Sequence, residues 1–255
     1  MSTEKFAAIV DDAARTAKAI PQLTAESPDL SVEDAYSIQA QSIARRLARG
    51  EHRVGVKMGL TSRAKMIQVG VDEVIWGRLT NAMRLEEGGS FSRAKYVHPR
   101  AEPEIAFLIG QPLSGEVSPL EALAAVDAVA PAIELIDSRY ENFKFTLPDV
   151  VADNSSSSGF VLGNWAPKDT PIDNLGILLE ADGRPVQVGS TAAILGHPVR
   201  SLVQAARLVA RWGEALAPGD IVLAGGATAA HAMTPGMHIR AVFQDLGSVS
   251  IRCVD

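Results

Sequence analysis

The amino-acid sequence predicts an α+β fold, with a small helical N-terminal part followed by a mixed or antiparallel β core. Helical periodicity is strongest before residue 50, and strand-like runs bounded by turn residues dominate after residue 52. The helices among those strands do not alternate with them regularly, which argues against a doubly wound sheet or a TIM barrel. Residues 1–50 are assigned to the helical part and 51–255 to the β-rich core, a division that leaves room for one continuous domain.

The elements follow in chain order. Phe6, Ile9, Val10, Ala13 and Ala17 recur at helical spacing, so 3–19 reads as an amphipathic helix ending before Pro21. A second helix runs over 32–48, with Ser31 as N-cap, Asp34 three residues on and Gly50 past the last turn. Residues 53–60 (RVGVKMGL) read as a strand, and Thr61 or Ser62 starts a short helix to Met66. Residues 101–110 and 130–137 are further strands. A helix over 119–127 lies between them, capped by Ser118 with Pro119 at its first position and Glu121 at its third. Residues 175–189 form two strands around an Asp182-Gly183 turn. A helix over 199–212 places Leu202, Ala205, Ala206 and Val209 on one face. The runs IVLAGG, HIRAVFQ and SVSIRCV supply three last strands, separated by turns at 218–220 and 245–247.

Composition narrows the function. Hydrophobic residues make up 47% of the 255 positions and charged residues 21%, as in ordinary globular proteins. The net charge of -6 gives no global attraction to nucleic acid or anionic membranes, so neither is an expected partner. Cys253 is the single cysteine, which rules out an intrachain disulfide. The first eighteen residues lack the apolar region of a signal peptide, and no run is apolar enough to span a bilayer. The expected location is cytoplasmic. There is no internal repeat, and the one low-complexity run is Ser155–Ser158.

The segment from His98 to Phe107 carries the most chemistry. Alternate strand residues share a face, so Glu102 and Glu104 point the same way and repel unless a positive charge lies between them. A solvated edge is the bland alternative, and Pro103 favours it. Apolar Ile105, Phe107 and Leu108 favour a site at the end of a buried strand instead. Glu134 stands in an otherwise apolar run, where a carboxylate needs a partner: a metal, or a salt bridge to Arg139 or Lys144. Carboxylates without a Cys or His cluster suit a hard cation, Mg²⁺ or Mn²⁺. His98 reads as structural rather than as a ligand. Lys57 stands between Gly55 and Gly59, which would permit close approach of a ligand; its alternative is a lysine snorkelling to the surface. As a cation beside a metal site it is expected to contribute little to stability. The run 153–158 and the segment 224–229, with Thr228, are loops whose hydroxyls and N–H groups can hold a carboxylate. No P-loop, dinucleotide fingerprint, nucleophile elbow or paired CxxC occurs.

Taken together, VGVKMGLTS (54–62), HPRAEPEIAF (98–107), PAIELIDSRYENFKF (131–145), VADNSSSSGFVLG (151–163) and PGD with GGATAA (218–230) resemble the fumarylacetoacetate hydrolase superfamily. The similarity is to its hydratase/decarboxylase branch, which acts in meta-cleavage of aromatic compounds; residues 20–39 fit as well. The run DSRYENFKF looks like the decarboxylases of that branch. The resemblance implies a distorted β-roll-like core, the C-terminal-like fold of that superfamily. It implies Mg²⁺ or Mn²⁺ held by Glu102, Glu104 and Glu134, with Lys57 at the substrate and Ser156, Ser157 and Thr228 helping to hold it. The implied reaction is decarboxylation of 2-oxo-3-hexenedioate, a 2-oxo dicarboxylate, to 2-hydroxypenta-2,4-dienoate. A homo-oligomer is implied, along with a complex with the hydratase that takes the product. Two rivals stand beside it: the 2-hydroxypenta-2,4-dienoate hydratase reaction, and a non-catalytic scaffold subunit. The scaffold has no need of three carboxylates around one cation.

Overall fold

The computed structural model describes residues 3–62, 66–67 and 73–255. Its helices are α1 (Thr3–Thr16), α2 (Leu23–Glu26), α3 (Val32–Ala48), α4 (Pro119–Ala124), α5 (Leu147–Ala152) and α6 (Pro198–Arg211). The strands are β1 (Arg53–Gly59), β2 (Ile75–Thr80), β3 (Arg84–Leu85), β4 (Ser90–Ser92), β5 (Arg100–Ile109), β6 (Val126–Ile136), β7 (Ser157–Leu162), β8 (Ala166–Pro167), β9 (Gly176–Ala181), β10 (Arg184–Ser190), β11 (Ile221–Leu223), β12 (His231–Ala232), β13 (His238–Phe243) and β14 (Gly247–Val254). The helix expected from Thr61 or Ser62 to Met66 falls largely on residues 63–65, outside the described residues.

Local chemistry sets the helix limits. α1 stops earlier than expected because Ala17 turns left-handed (φ 52°) and the Lys18 N–H closes back on the Ala13 carbonyl. Ser31 accepts the Asp34 N–H at the start of α3, as expected. Ser118 and Glu121 form a reciprocal capping box on α4, which ends at Ala124 because Val126 already belongs to β6. In α6 the predicted face of Leu202, Ala205, Ala206 and Val209 is buried.

One mixed sheet runs in the order β2-β1-β11-β5-β6-β7-β3, with β12 added to β5 and β8 to β6. A second sheet, β10-β9-β13-β14-β4, packs on β6 and β7. Among the described residues, the larger of two hydrophobic clusters holds Phe6, Val10 and Ile38 of the N-terminal helices together with Val56, Phe107, Leu135 and Leu202 of the remainder; the smaller includes Leu79, Phe160 and Leu223. β1 and β11 are parallel, β5 opposes β11, and β6 opposes β5. The ends of β1, β11 and β6 and the starts of β5 and β7 therefore meet at one end of the sheet. Residues 60–62 after β1 and the connections that follow Leu223 and Ile136 leave from this end.

The edge position allowed for β5 is corrected here: it lies between β11 and β6. Pro103 is tolerated because its carbonyl accepts the Ala227 N–H. The nitrogen and carbonyl of one strand residue point the same way, so the missing N–H faces the loop after β11 and not the ladder to β6.

Candidate active site and metal centre

Glu102 and Glu104 share a face of β5, and Glu102 pairs directly with Glu134 across the β5–β6 ladder. Each of the three offers a carboxylate oxygen, and these oxygens lie within 4.8 Å of one another. Glu104 and Glu134 are fully buried; Glu102 retains 7% exposure. Glu104 Oε2 accepts the Gly225 N–H at 2.7 Å. Only glycine serves at position 225, since its φ is +104° and a Cβ would stand 2.0 Å from Thr61 Oγ1.

Lys57 projects from β1 to the same cluster. Its Nζ lies 3.1 Å from Glu134 Oε2 and donates to the Ser155 carbonyl at 2.8 Å, and the side chain is 4% exposed. The surface-snorkelling alternative is therefore overturned. The flanking glycines serve strand packing rather than ligand approach: a Cβ on Gly55 would meet the Ile221 carbonyl at 1.9 Å, and one on Gly59 would meet the Ile75 side chain at 2.9 Å. Glu134 pairs with Lys57 and not with Arg139 or Lys144. Arg139 is engaged by Asp153 at 2.5 Å, buried on both sides.

The serine run is a turn of unusual backbone. Asn154, Ser155 and Ser156 have φ of 48°, 51° and 60°, three consecutive left-handed residues without a glycine. Left-handed conformation costs roughly 1–2 kcal/mol at each such position. Contacts from three other segments hold it: Ser155 Oγ donates to the Trp76 carbonyl (2.7 Å), and Asn154 exchanges hydrogen bonds with the Arg78 backbone (2.8 and 2.9 Å). Arg139 binds the Asp153 carbonyl (2.6 Å) and the Ser158 hydroxyl, and Lys57 takes the Ser155 carbonyl. Burial pushes the Asp153 carboxyl up to about 7 despite the pull of Arg139. Gln39 of α3 bridges the carbonyls of Trp76 and Val151 (3.2 and 2.8 Å), tying the N-terminal helices to the same support.

The electrostatics suit a divalent cation. Burial holds the Glu104 carboxyl well above the ordinary carboxylate range, reinforced by Glu134 and opposed by Lys57. Burial raises Glu134 as well, against the pull of Lys57. Glu104 Oε1 and both Glu134 oxygens receive no directed hydrogen bond among the described residues; the Lys57 contact to Glu134 is a close ion pair off the hydrogen-bonding direction. Among the described residues Lys57 is the one ammonium in ion-pair contact with the cluster, and the unpartnered oxygens of Glu104 and Glu134, converging with a Glu102 oxygen, are the hard donor set that suits Mg²⁺ or Mn²⁺.

Glu102, Glu104, Glu134 and Lys57 thus come together as the sequence suggests. Ser156, next in sequence to the Ser155 carbonyl that Lys57 contacts, is buried, and its Oγ has no hydrogen-bond partner among the described residues. Ser157 is different: its Oγ faces Met83 Sδ at 3.9 Å. Thr228 is half-buried, with its hydroxyl donating to the Ala229 carbonyl at 3.0 Å. Sequence reasoning missed Ser155 and Gly225, which contribute backbone groups rather than side chains, and Asp137, which accepts the Val97 N–H at 2.9 Å and the His98 N–H. The Gly225-Gly226 doublet directly after a strand was the available signal for the Glu104 contact.

The family described as fumarylacetoacetate (FAA) hydrolase C-terminal matches residues 56–254. The 4-oxalocrotonate decarboxylase of a Pseudomonas sp is 56% identical over 250 residues, covering 98% of this chain and 97% of that protein. The 2-keto-4-pentenoate hydratase of Paraburkholderia xenovorans (strain LB400) is 35% identical over 249 residues, covering 96% and 93%. Among solved structures, the 4-oxalocrotonate decarboxylase from Pseudomonas putida G7 complexed with magnesium and adipate superposes with a TM-score of 0.96 at 40% identity, covering 99% of this chain and 97% of that one. Among the described residues, no helix is long and apolar enough to cross a membrane.

Proposed function

The chain belongs to the fumarylacetoacetate hydrolase family, and from that premise we propose that it decarboxylates 2-oxo-3-hexenedioate (4-oxalocrotonate) to 2-hydroxypenta-2,4-dienoate and CO₂. The observation that carries the site assignment is the buried cluster of Glu102, Glu104 and Glu134 with Lys57 against it. The three glutamates are the proposed ligands of Mg²⁺ or Mn²⁺. When bound, the cation supplies positive charge beside the 2-oxo group of the substrate. Breaking the C5–C6 bond leaves its electron pair at C5, from where the C3–C4 alkene carries the charge to the oxygen on C2, which takes one proton from solvent to give the 2-hydroxy product. Lys57 places a second positive charge at the cluster, where it balances the growing dienolate. Its bond to the Ser155 carbonyl aims the ammonium, so the left-handed turn acts as the positioning element for Lys57. The buried Ser156 hydroxyl, without a partner among the described residues, is a proposed hydrogen-bond partner for the substrate, and Ser157 and Thr228 are proposed to help hold it.

The helical part, 1–50, and the core, 51–255, are proposed to act as one unit, since Gln39 bonds the carbonyls of Val151 and of Trp76, the residue that in turn anchors Ser155. A homo-oligomer, and association with the hydratase that consumes the product, complete the proposal; the hydratase relatives belong to the same sequence group. Purified protein incubated with 2-oxo-3-hexenedioate should release CO₂ in the presence of Mg²⁺. No CO₂ from that substrate, with water addition to 2-hydroxypenta-2,4-dienoate instead, would assign the hydratase reaction, and full activity in excess EDTA would remove the metal from the account.

A further inference from the structure

We propose that Arg100 recognises the second carboxylate of the substrate and sets the preference for a dicarboxylate over a monocarboxylate; this rests on the reaction proposed above. Arg100 is the first residue of β5 and lies two positions before Glu102, so strand alternation puts it on the face that carries Glu102 and Glu104. Exposure rises along that row: Glu104 is at 0%, Glu102 at 7% and Arg100 half-buried. The open end of the carboxylate cluster is therefore the Arg100 end, where β1, β6 and β11 also terminate.

The guanidinium is already held. Its Cζ lies 4.0 Å from the centre of the Phe143 ring, which packs in turn against His98 (6.1 Å) and Phe145 (5.7 Å). Stacking through the face leaves the N–H edges of the guanidinium available. Among the described residues no carboxylate lies within ion-pair distance of Arg100, so its charge is uncommitted at the mouth of an acidic site. An anionic tail entering past three glutamates needs such a cation. The dimensions agree: two residues of strand advance about 7 Å, and the carboxyl carbons of an extended six-carbon diacid lie roughly 6 Å apart at ordinary bond lengths. A diacid bound by its 2-oxo end at Glu102 thus presents its other end to Arg100.

The departing group is that second carboxylate, which leaves as neutral CO₂ while the electron pair stays on C5. A cation on it favours the ground state and not the transition state, so its loss should raise KM without lowering kcat. The test measures, by isothermal titration calorimetry, the binding of adipate and of hexanoate, which differ by one carboxylate, to the Mg²⁺-loaded wild type, Arg100→Met and Arg100→Lys, alongside the kinetics of CO₂ release. Arg100→Met should weaken adipate about tenfold, the size of one partly screened charge-assisted contact, and leave hexanoate unchanged. KM should rise by a similar factor at constant or higher kcat, with Arg100→Lys intermediate. Equal weakening of both ligands, no weakening of either, or a fall in kcat at fixed KM overturns the assignment. If Arg100→Met does not fold, Arg100→Lys decides by the same adipate-to-hexanoate ratio. Wild-type protein that releases no CO₂ yet shows the charge-dependent ratio would sink the proposed reaction and leave Arg100 in place; CO₂ release with an unaltered ratio would do the opposite.

Discussion

Replacing Lys57 by alanine should weaken the metal-free protein as well as slow the reaction. Lys57 Nζ lies 3.1 Å from Glu134 Oε2, with side-chain exposures of 4% and 0%. At an effective dielectric of about 20 this attraction is worth 332/(20 × 3.1), or about 5 kcal/mol. Breaking a buried pair typically costs about 3–5 kcal/mol, because the remaining charge is stranded. Proton uptake caps the loss: keeping Glu134 neutral at pH 7 costs at most about 1.36 × (7 − 4.3), or ~4 kcal/mol. A loss of roughly 3–4 kcal/mol lowers the Tm of a domain this size by roughly 6–16 °C. Calorimetry in EDTA measures it, and saturating Mg²⁺ should narrow the gap, since the cation then compensates Glu134. With Mg²⁺ present, kcat should fall on the order of a hundredfold or more, and Lys57→Arg should not restore it, because a planar guanidinium does not fit a point contact to the Ser155 carbonyl. Equal melting temperatures in EDTA would show that the Lys57–Glu134 pair does not stabilise the fold, and an unchanged kcat would show that the ammonium does not act on the dienolate. The sequence suggested little effect on stability; full burial of the ammonium beside Glu134 reverses that expectation.

Three further outcomes are expected. Glu104→Gln should abolish most CO₂ release yet raise the melting temperature of the metal-free protein, because burial and Glu134 both oppose a charge there; a lower Tm in EDTA would contradict it. Gly225→Ala should cost most of the activity, because its Cβ would collide with Thr61 Oγ1 at a left-handed backbone position; near-normal turnover would show that the loop adapts. Asp149 governs part of the acid sensitivity: burial raises its carboxyl, but the Thr146 and Thr24 hydrogen bonds outweigh this and hold it below the ordinary range. A lowered folded-state pKa adds stability above about pH 4 that is lost as pH falls through the folded value, so denaturant titrations at pH 5 and pH 3 should show a smaller loss for Asp149→Asn than for the wild type.

The site was legible in the sequence where side-chain identity carried it. Glu102 and Glu104 announced a shared face through strand alternation, and Glu134 stood out as a lone carboxylate in an apolar run. The second sheet's β9–β10 hairpin was legible from the Asp182-Gly183 turn. Pro103 left a solvated edge open as the alternative to the buried strand, because a proline blocks pairing only on the side its nitrogen faces, and that side is taken by residue 227, which returns from far along the chain. β2 escaped notice since IWGRLT has neither strict alternation nor turn residues on both sides. The left-handed turn at Asn154–Ser156 has no local signature either. Without a glycine, its conformation is imposed by Trp76, Arg78, Arg139 and Lys57, none of them neighbours in sequence.

That dependence also sets an order of assembly. The turn's anchors lie 98 positions away at Lys57 and 79 at Trp76, whereas the β9–β10 hairpin and α3 close over short loops. Long closures are slow and are rewarded only once both ends are in place. Amides from Asn154 to Ser157 should therefore gain hydrogen-exchange protection after those of β5 and β6, and mutations in the turn should accelerate unfolding with little effect on the folding rate. The molecule builds its sheets first and its chemistry last, so a chain halted short of the final step would carry strands, helices and core but no working centre.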